Sequence, residues 1–100
     1  MKKPERHMAE RCSLRLYIVG SAPSSLSAQA VVRNIAARPD FEPHLTIKII
    51  DVQRAPEEAL RNGVLGTPLL ELRAGKQTYR LLGDLGRADV LEDLLTHALG

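Results

Sequence analysis

The sequence predicts an α/β domain with a mixed sheet and the element order β-α-β-α-β-β-α. Three observations predict it. Leu14, Leu16 and Ile18 alternate with Arg15 and Tyr17, and a helical stripe separates them from a second β-branched run at 45–52. That spacing describes two parallel strands joined through a helix. Two further short apolar runs, 69–72 and 78–82, flank the Gly-containing segment 73–77, as in a β-hairpin. Finally, Val90, Leu91, Leu94, Leu95, Ala98 and Leu99 recur at the spacing of an amphipathic closing helix.

Each element follows from local chemistry. Residues 1–12 are polar and basic and are expected to be a disordered tail, with one domain over 13–100. Cys12 is expected to lie before the first strand. Gly20 to Ser25 is a loop of small residues, in which Ser24 or Ser25 is placed to cap the next helix. Leu26, Ala30, Val31 and Ile35 form that helix's expected apolar stripe, with Gln29 and Arg33 off it, and Pro39 stops it. The run at 45–52 is β-branched and apolar on both sides at its end, which predicts an inner strand covered on both faces. Pro56 suits the first turn of a short helix, Glu57 and Glu58 favour the same end, and Gly63 stops it. Residues 83–86 form a turn before the last helix.

Composition removes several function classes. Fourteen basic residues against twelve acidic leave a net charge of +2, too balanced for a nucleic-acid binder. Aromatic residues are 3% of the chain, too few for a base-stacking platform. No apolar run reaches membrane-spanning length and the first residues lack a signal-peptide core, so a cytoplasmic protein is expected. A single cysteine, Cys12, forbids an intrachain disulfide and suits a reducing compartment. No His, Cys or carboxylate cluster has metal-ligand spacing, and no Gly-rich phosphate loop is present, so neither metal nor cofactor is expected.

Three places are candidate sites. Ser21, Ser24 and Ser25 lack any histidine tied to them, so capping and turn roles outweigh nucleophilic catalysis. Asp51 and Asp84 lie near strand ends, where turn and cap roles are expected. Thr67-Pro68 opens a strand after a short helix, a position compatible with a cis peptide bond. Residues 14–25 and 64–72 together resemble the frame of a thioredoxin-like domain. The redox members of that fold carry Cys-x-x-Cys in the loop after the first strand, and this chain has Ser, Ala and Pro there. The frame without thiols implies binding rather than disulfide exchange.

A more specific resemblance rests on four segments in order. They are Leu16-Tyr17-Ile18-Val19-Gly20 with Pro23-Ser24-Ser25, then Ile49-Ile50-Asp51-Val52 followed by Pro56, then Gly66-Thr67-Pro68-Leu69-Leu70, then Leu82-Gly83-Asp84-Leu85. Together they resemble the KaiB family, small clock proteins of cyanobacteria with KaiB-like relatives in other bacteria. They are also similar to the sensor domain of the clock-associated histidine kinase. The resemblance implies a non-enzymatic regulatory protein that docks on the hexameric ATPase KaiC, helps sequester KaiA, and acts in timing or stress response. It also implies two folds: the thioredoxin-like one, and a self-associated ground state, dimeric or tetrameric, ordered β-α-β-β-α-α-β. Residues 52–99 would change between them, with Thr67 and Pro68 near the start of the changing half and Gly83, Asp84 and Gly86 in its turn. The strong helical pattern at 90–99 favours the thioredoxin-like state. Fold logic places partner contacts on the first helix and the edge of the second strand, with Arg33, Lys48 and Arg54. The alternatives are a thiol or glutathione-binding protein that uses Thr67-Pro68, and a sensory domain that binds a histidine kinase.

Overall fold

A strand, a helix and a second strand parallel to the first set the frame. In the computed structural model, which describes residues 12–83 and 88–99, the elements are β1 (Cys12–Ile18), α1 (Pro23–Ala36), a 3-10 turn (Glu42–His44), β2 (Leu45–Asp51), α2 (Pro56–Arg61), β3 (Leu69–Ala74), β4 (Gln77–Leu82) and α3 (Ala88–Leu99). The order is the predicted β-α-β-α-β-β-α, and the alternative order β-α-β-β-α-α-β is not the one adopted. The four strands lie in the order β2-β1-β3-β4. β1 pairs parallel with β2 and antiparallel with β3, and β3 pairs antiparallel with β4.

The sheet divides the core unequally. Cys12, Leu14, Leu16 and Ile18 of β1 join Leu70 and Leu72 of β3 beneath α1 and α3. The other face carries a small cluster of Tyr17, Ile50 and Leu69, against which Val52, Ala55 and Val64 pack around α2. α2 has only six residues. Its end is fixed by Gly63 at φ +69°, with Gly63 N–H donating to Leu60 O at 3.1 Å and Val64 N–H to Ala59 O at 2.9 Å. That is a Schellman closure, and the left-handed backbone angle is what requires glycine there.

Several expectations are corrected. Among the described residues β2 is an edge strand rather than an inner one: Ile50 is buried, but Thr46 and Lys48 are exposed and Ile47 is 42% exposed. β1 takes the centre, because it alone pairs with both β2 and β3, and the β-branched run reflects strand preference rather than two-sided burial. β1 begins at Cys12, which is buried in the core and not in a tail. Residues 1–11 lie outside the described residues.

The buried face of α1 is also rotated from the expected one. Ser25, Ala28, Val32, Ile35 and Ala36 are buried, while Leu26 is 53% exposed and Ala30 is exposed. Both stripes have helical spacing, and packing selects the one that aims Val32 and Ile35 at the strand leucines. The hairpin is tighter than expected: strands run to Ala74 and restart at Gln77, which leaves Gly75 and Lys76 as the turn, Gly75 at φ +62°. α3 buries Leu91 and Leu95 as expected, with Leu94, Ala98 and Leu99 partly buried against the core and Val90 41% exposed. Arg38, just past α1, reaches Glu92 of α3 at 2.6 Å and joins the two helices at one end.

Candidate binding surface

The loop after β1 is organised by one serine. Ser25 does not cap α1: Ala22 is the N-cap, without a side-chain bond, and Pro23 occupies the first turn. Ser25 is instead buried, and its hydroxyl turns back on the strand end. Its Oγ accepts from Val19 N–H at 3.0 Å and donates to Val19 O at 3.2 Å. This ties the end of β1 to the start of α1 and occupies the hydroxyl with backbone partners. Ser25→Ala leaves the Val19 amide without that partner and is expected to cost about 1 kcal/mol. The check is a lower urea midpoint at unchanged m-value.

The Thr67-Pro68 bond is cis, as expected. Pro68 is buried, and its carbonyl accepts from Gly83 N–H at 3.1 Å, with Gly83 at φ +104°. Thr67, Pro68 and Gly83 are thus brought together at the open end of the β3–β4 hairpin, whereas Asp84 and Gly86 lie outside the described residues. Thr67 and Val19 flank one hollow of about 240 Å³, completed by Val52, Val64, Leu65 and Gly66. Its lining is mostly apolar, and Leu65 beside it is 94% exposed.

No thiol reaches this hollow. Cys12 sits at the opposite end of β1, six residues from Ile18, or roughly 20 Å along an extended strand. Burial also pushes the Cys12 thiol above its ordinary pKa, away from the reactive thiolate. Among the described residues no group of His, Cys, Asp or Glu could hold a metal ion, and no helix is long and apolar enough to cross a membrane. Asp51 has the turn role expected of it: Gln53 N–H donates to its Oδ1 at 2.9 Å.

A second hollow, of about 510 Å³, lies between the end of α1 and the edge strand. Arg33, Ala36, Ala37, Glu42, Ile47 and Ile49 line it. Arg33 therefore stands beside exposed apolar surface on a strand edge that no described residue pairs with.

No family model matches the chain. Individual relatives do. The chain is 33% identical over 72 residues to the circadian clock oscillator protein KaiB of Nostoc punctiforme, covering 72% of this chain and 68% of that protein. It is 34% identical over 90 residues to KaiB of Thermostichus vulcanus, covering 87% of this chain and 82% of that one. The chain belongs to the KaiB family. Among solved structures, a mutant thioredoxin from Halobacterium salinarum NRC-1 superposes with a TM-score of 0.76 at 23% identity, over 93% of this chain and 80% of that one. Chloroplastic thioredoxin z gives 0.78 at 14% identity, over 93% and 82%. At such identities these show the fold alone: this KaiB-family chain has the thioredoxin-like architecture.

The three basic residues expected at the partner surface of this KaiB-family chain do not converge. Arg33 lies on the α1 side of the sheet. Lys48 points to the other side, where its Nζ lies 3.2 Å from Glu58 Oε2 of α2. Arg54 is exposed in the turn after β2. What they share is the neighbourhood of β2. Sequence reasoning missed Ile47 and Ile49 as groove residues because the strand was assigned to the interior.

It also missed Glu71, a carboxylate 2% exposed between strand leucines. Arg80 holds it across the hairpin, with Nε at 3.1 Å and Nη2 at 2.8 Å from Oε2. Arg73 Nε lies 3.3 Å from Oε1, an ion-pair distance outside hydrogen-bond geometry. Arg80 also donates to Gly63 O at 3.2 Å and to Asn62 O, which satisfies carbonyls at the end of α2. The available signal was an acid inside the apolar run Leu69-Leu70-Glu71-Leu72, since a buried charge requires a paired one.

Proposed function

We propose that this protein is a non-enzymatic regulatory component of a circadian-clock or related timing and stress-response system, acting in the cytoplasm by docking on a KaiC-like ATPase. The supporting observation is that a KaiB-family chain presents the thioredoxin-like frame with Ser25 engaged by backbone and its only cysteine buried at the far end of β1. A frame of that kind has surfaces to offer and no thiolate to exchange.

The partner surface proposed is β2 with the adjoining face of α1. An edge strand leaves one row of backbone N–H and C=O groups available for pairing. The groove lined by Arg33, Ile47 and Ile49 adds an apolar contact with a cation at its side. Lys48 and Arg54 contribute charge along the other side and beyond the end of the strand. A KaiA-like protein or a histidine kinase would use the same surface in a larger assembly. Exchange with a self-associated β-α-β-β-α-α-β form belongs to this proposal, with Thr67, Pro68 and Gly83 at the junction of the half that changes, and Asp84 and Gly86 in its turn.

The test is co-purification with a KaiC-like ATPase, with ATP or ADP present. The wild-type chain is expected to be retained, and Ile47→Glu to be lost while its circular dichroism stays unchanged. Failure of the wild-type chain to bind in either nucleotide would overturn the proposal. Reduction of insulin disulfides by the purified chain would instead support the thiol reading.

A further inference from the structure

Among the described residues, the sheet face opposite α1 and α3 is only half covered. The rung Ile50–Tyr17–Leu69 lies in the apolar cluster around α2. The next two rungs are polar from edge to edge. Lys48, Arg15, Glu71 and Arg80 are in register across all four strands, and so are Thr46, Ser13, Arg73 and Thr78. Strand alternation puts both rungs on one face. The contacts agree, since Arg73 and Arg80 both meet Glu71 there, and Lys48 meets Glu58 of α2.

The charge on this face is layered. Four cations, Arg15, Lys48, Arg73 and Arg80, stand against two carboxylates, Glu58 and Glu71. The carboxylates lie beneath: Glu71 is 2% exposed and Glu58 22%, while Lys48 is 60%, Arg73 48% and Arg80 37% exposed at the side chain. Arg15 neighbours Tyr17 on the same strand face, and its guanidinium is charged as in any folded protein, with the Tyr17 phenol and then the Glu71 and Glu58 carboxylates pushing its pKa further upward. A molecule approaching this half-face meets guanidinium and ammonium groups first, with the hydroxyls of Ser13, Thr46 and Thr78 between them.

The geometry points to this half-face as a docking surface for an acidic polypeptide segment of a partner protein, distinct from the β2–α1 groove. Guanidinium groups recognise carboxylates through paired N–H donors, and the neighbouring hydroxyls suit a peptide's mixed donors and acceptors. The four cations span one half-face and form no long basic track of the kind a phosphate backbone follows, which favours a short acidic segment. The chain's own first eleven residues are a poor occupant by sign, with Lys2, Lys3, Arg6 and Arg11 against Glu5 and Glu10.

The experiment is an amide chemical-shift titration of the full chain with a synthetic peptide of about ten glutamates, repeated in about 0.5 M salt. Shifts are expected at Ser13, Arg15, Arg73 and Thr78, with affinity roughly fivefold weaker in the higher salt. Thr78→Glu, exposed and opposite Arg73, is expected to weaken binding roughly threefold without unfolding the protein. Shifts confined to residues 1–11, or none, would overturn the proposal. So would tighter binding of a mixed-sequence DNA duplex at the same amides. Movement of those amides on dilution without peptide would assign the face to a second copy of the chain and overturn it equally.

Discussion

Arg80→Ala is expected to lower the free energy of unfolding by about 3 kcal/mol. Arg80 is the main partner of a carboxylate that is 2% exposed. Removing it leaves Glu71 charged, buried and short of donors, which is far more costly than losing a surface ion pair. The value sits at the low end of the usual range because Arg73 remains 3.3 Å from the other oxygen. The same substitution removes the donor to the Asn62 and Gly63 carbonyls, so the end of α2 loses its tie to the hairpin. For a chain of this size the melting temperature should fall by roughly 15 °C. Arg80→Lys should recover little, because an ammonium cannot serve the carboxylate and two carbonyls with a planar fork. Adding Glu71→Gln to Arg80→Ala should recover much of the loss, since it removes the uncompensated charge. Urea unfolding of the four proteins checks this. A double variant no more stable than Arg80→Ala alone would show that the penalty lies elsewhere.

Leu95→Ala is expected to cost a further amount of similar size, about 3 kcal/mol. Leu95 is fully buried, and with the nearly fully buried Leu91 it anchors α3. Truncation forfeits the transfer free energy of the side chain and leaves a cavity against the strand leucines. The effect should be uneven. α3 packs on the sheet through one stripe and is joined to the end of α1 by Arg38 and Glu92, so hydrogen-exchange protection should fall first over 88–99 and later in β1. Equal loss in both regions would mean that α3 and the sheet open as one unit.

Most of the fold was legible because its signals are local. Alternation at Leu14, Leu16 and Ile18, the Gly-containing hairpin and the leucine stripe of α3 each depend on a few neighbouring residues. What failed required the sheet order. The β-branched run of β2 reads as interior, yet only the pairing of β1 with two partners decides which strand is central. The rotation of α1 failed for a related reason. Leu26 and Val32 offer competing stripes, and the strand leucines beneath decide between them. At the candidate surface, the cis Thr67-Pro68 bond followed from motif placement, whereas the hydrogen bond from Gly83 N–H to Pro68 O emerges only from the folded hairpin. The cation–carboxylate rung did not, because Lys48, Arg15, Glu71 and Arg80 are far apart in sequence and become neighbours only through register. Fold logic groups Arg33, Lys48 and Arg54 at the first helix and the edge of the second strand, but strand alternation sends Lys48 to the face opposite Arg33.

The second half of the chain holds the thioredoxin-like arrangement, with the hairpin locked through Glu71 and Arg80 and α3 closing the core. Backbone chemical shifts and cross-strand contacts over residues 69–99, taken with the mass in solution, test this most directly. The predicted result is antiparallel pairing of Leu70 with Leu81 and of Leu72 with Tyr79, followed by helical shifts across 88–99. Extended shifts across 88–99, together with loss of the β3–β4 pairing, would contradict it.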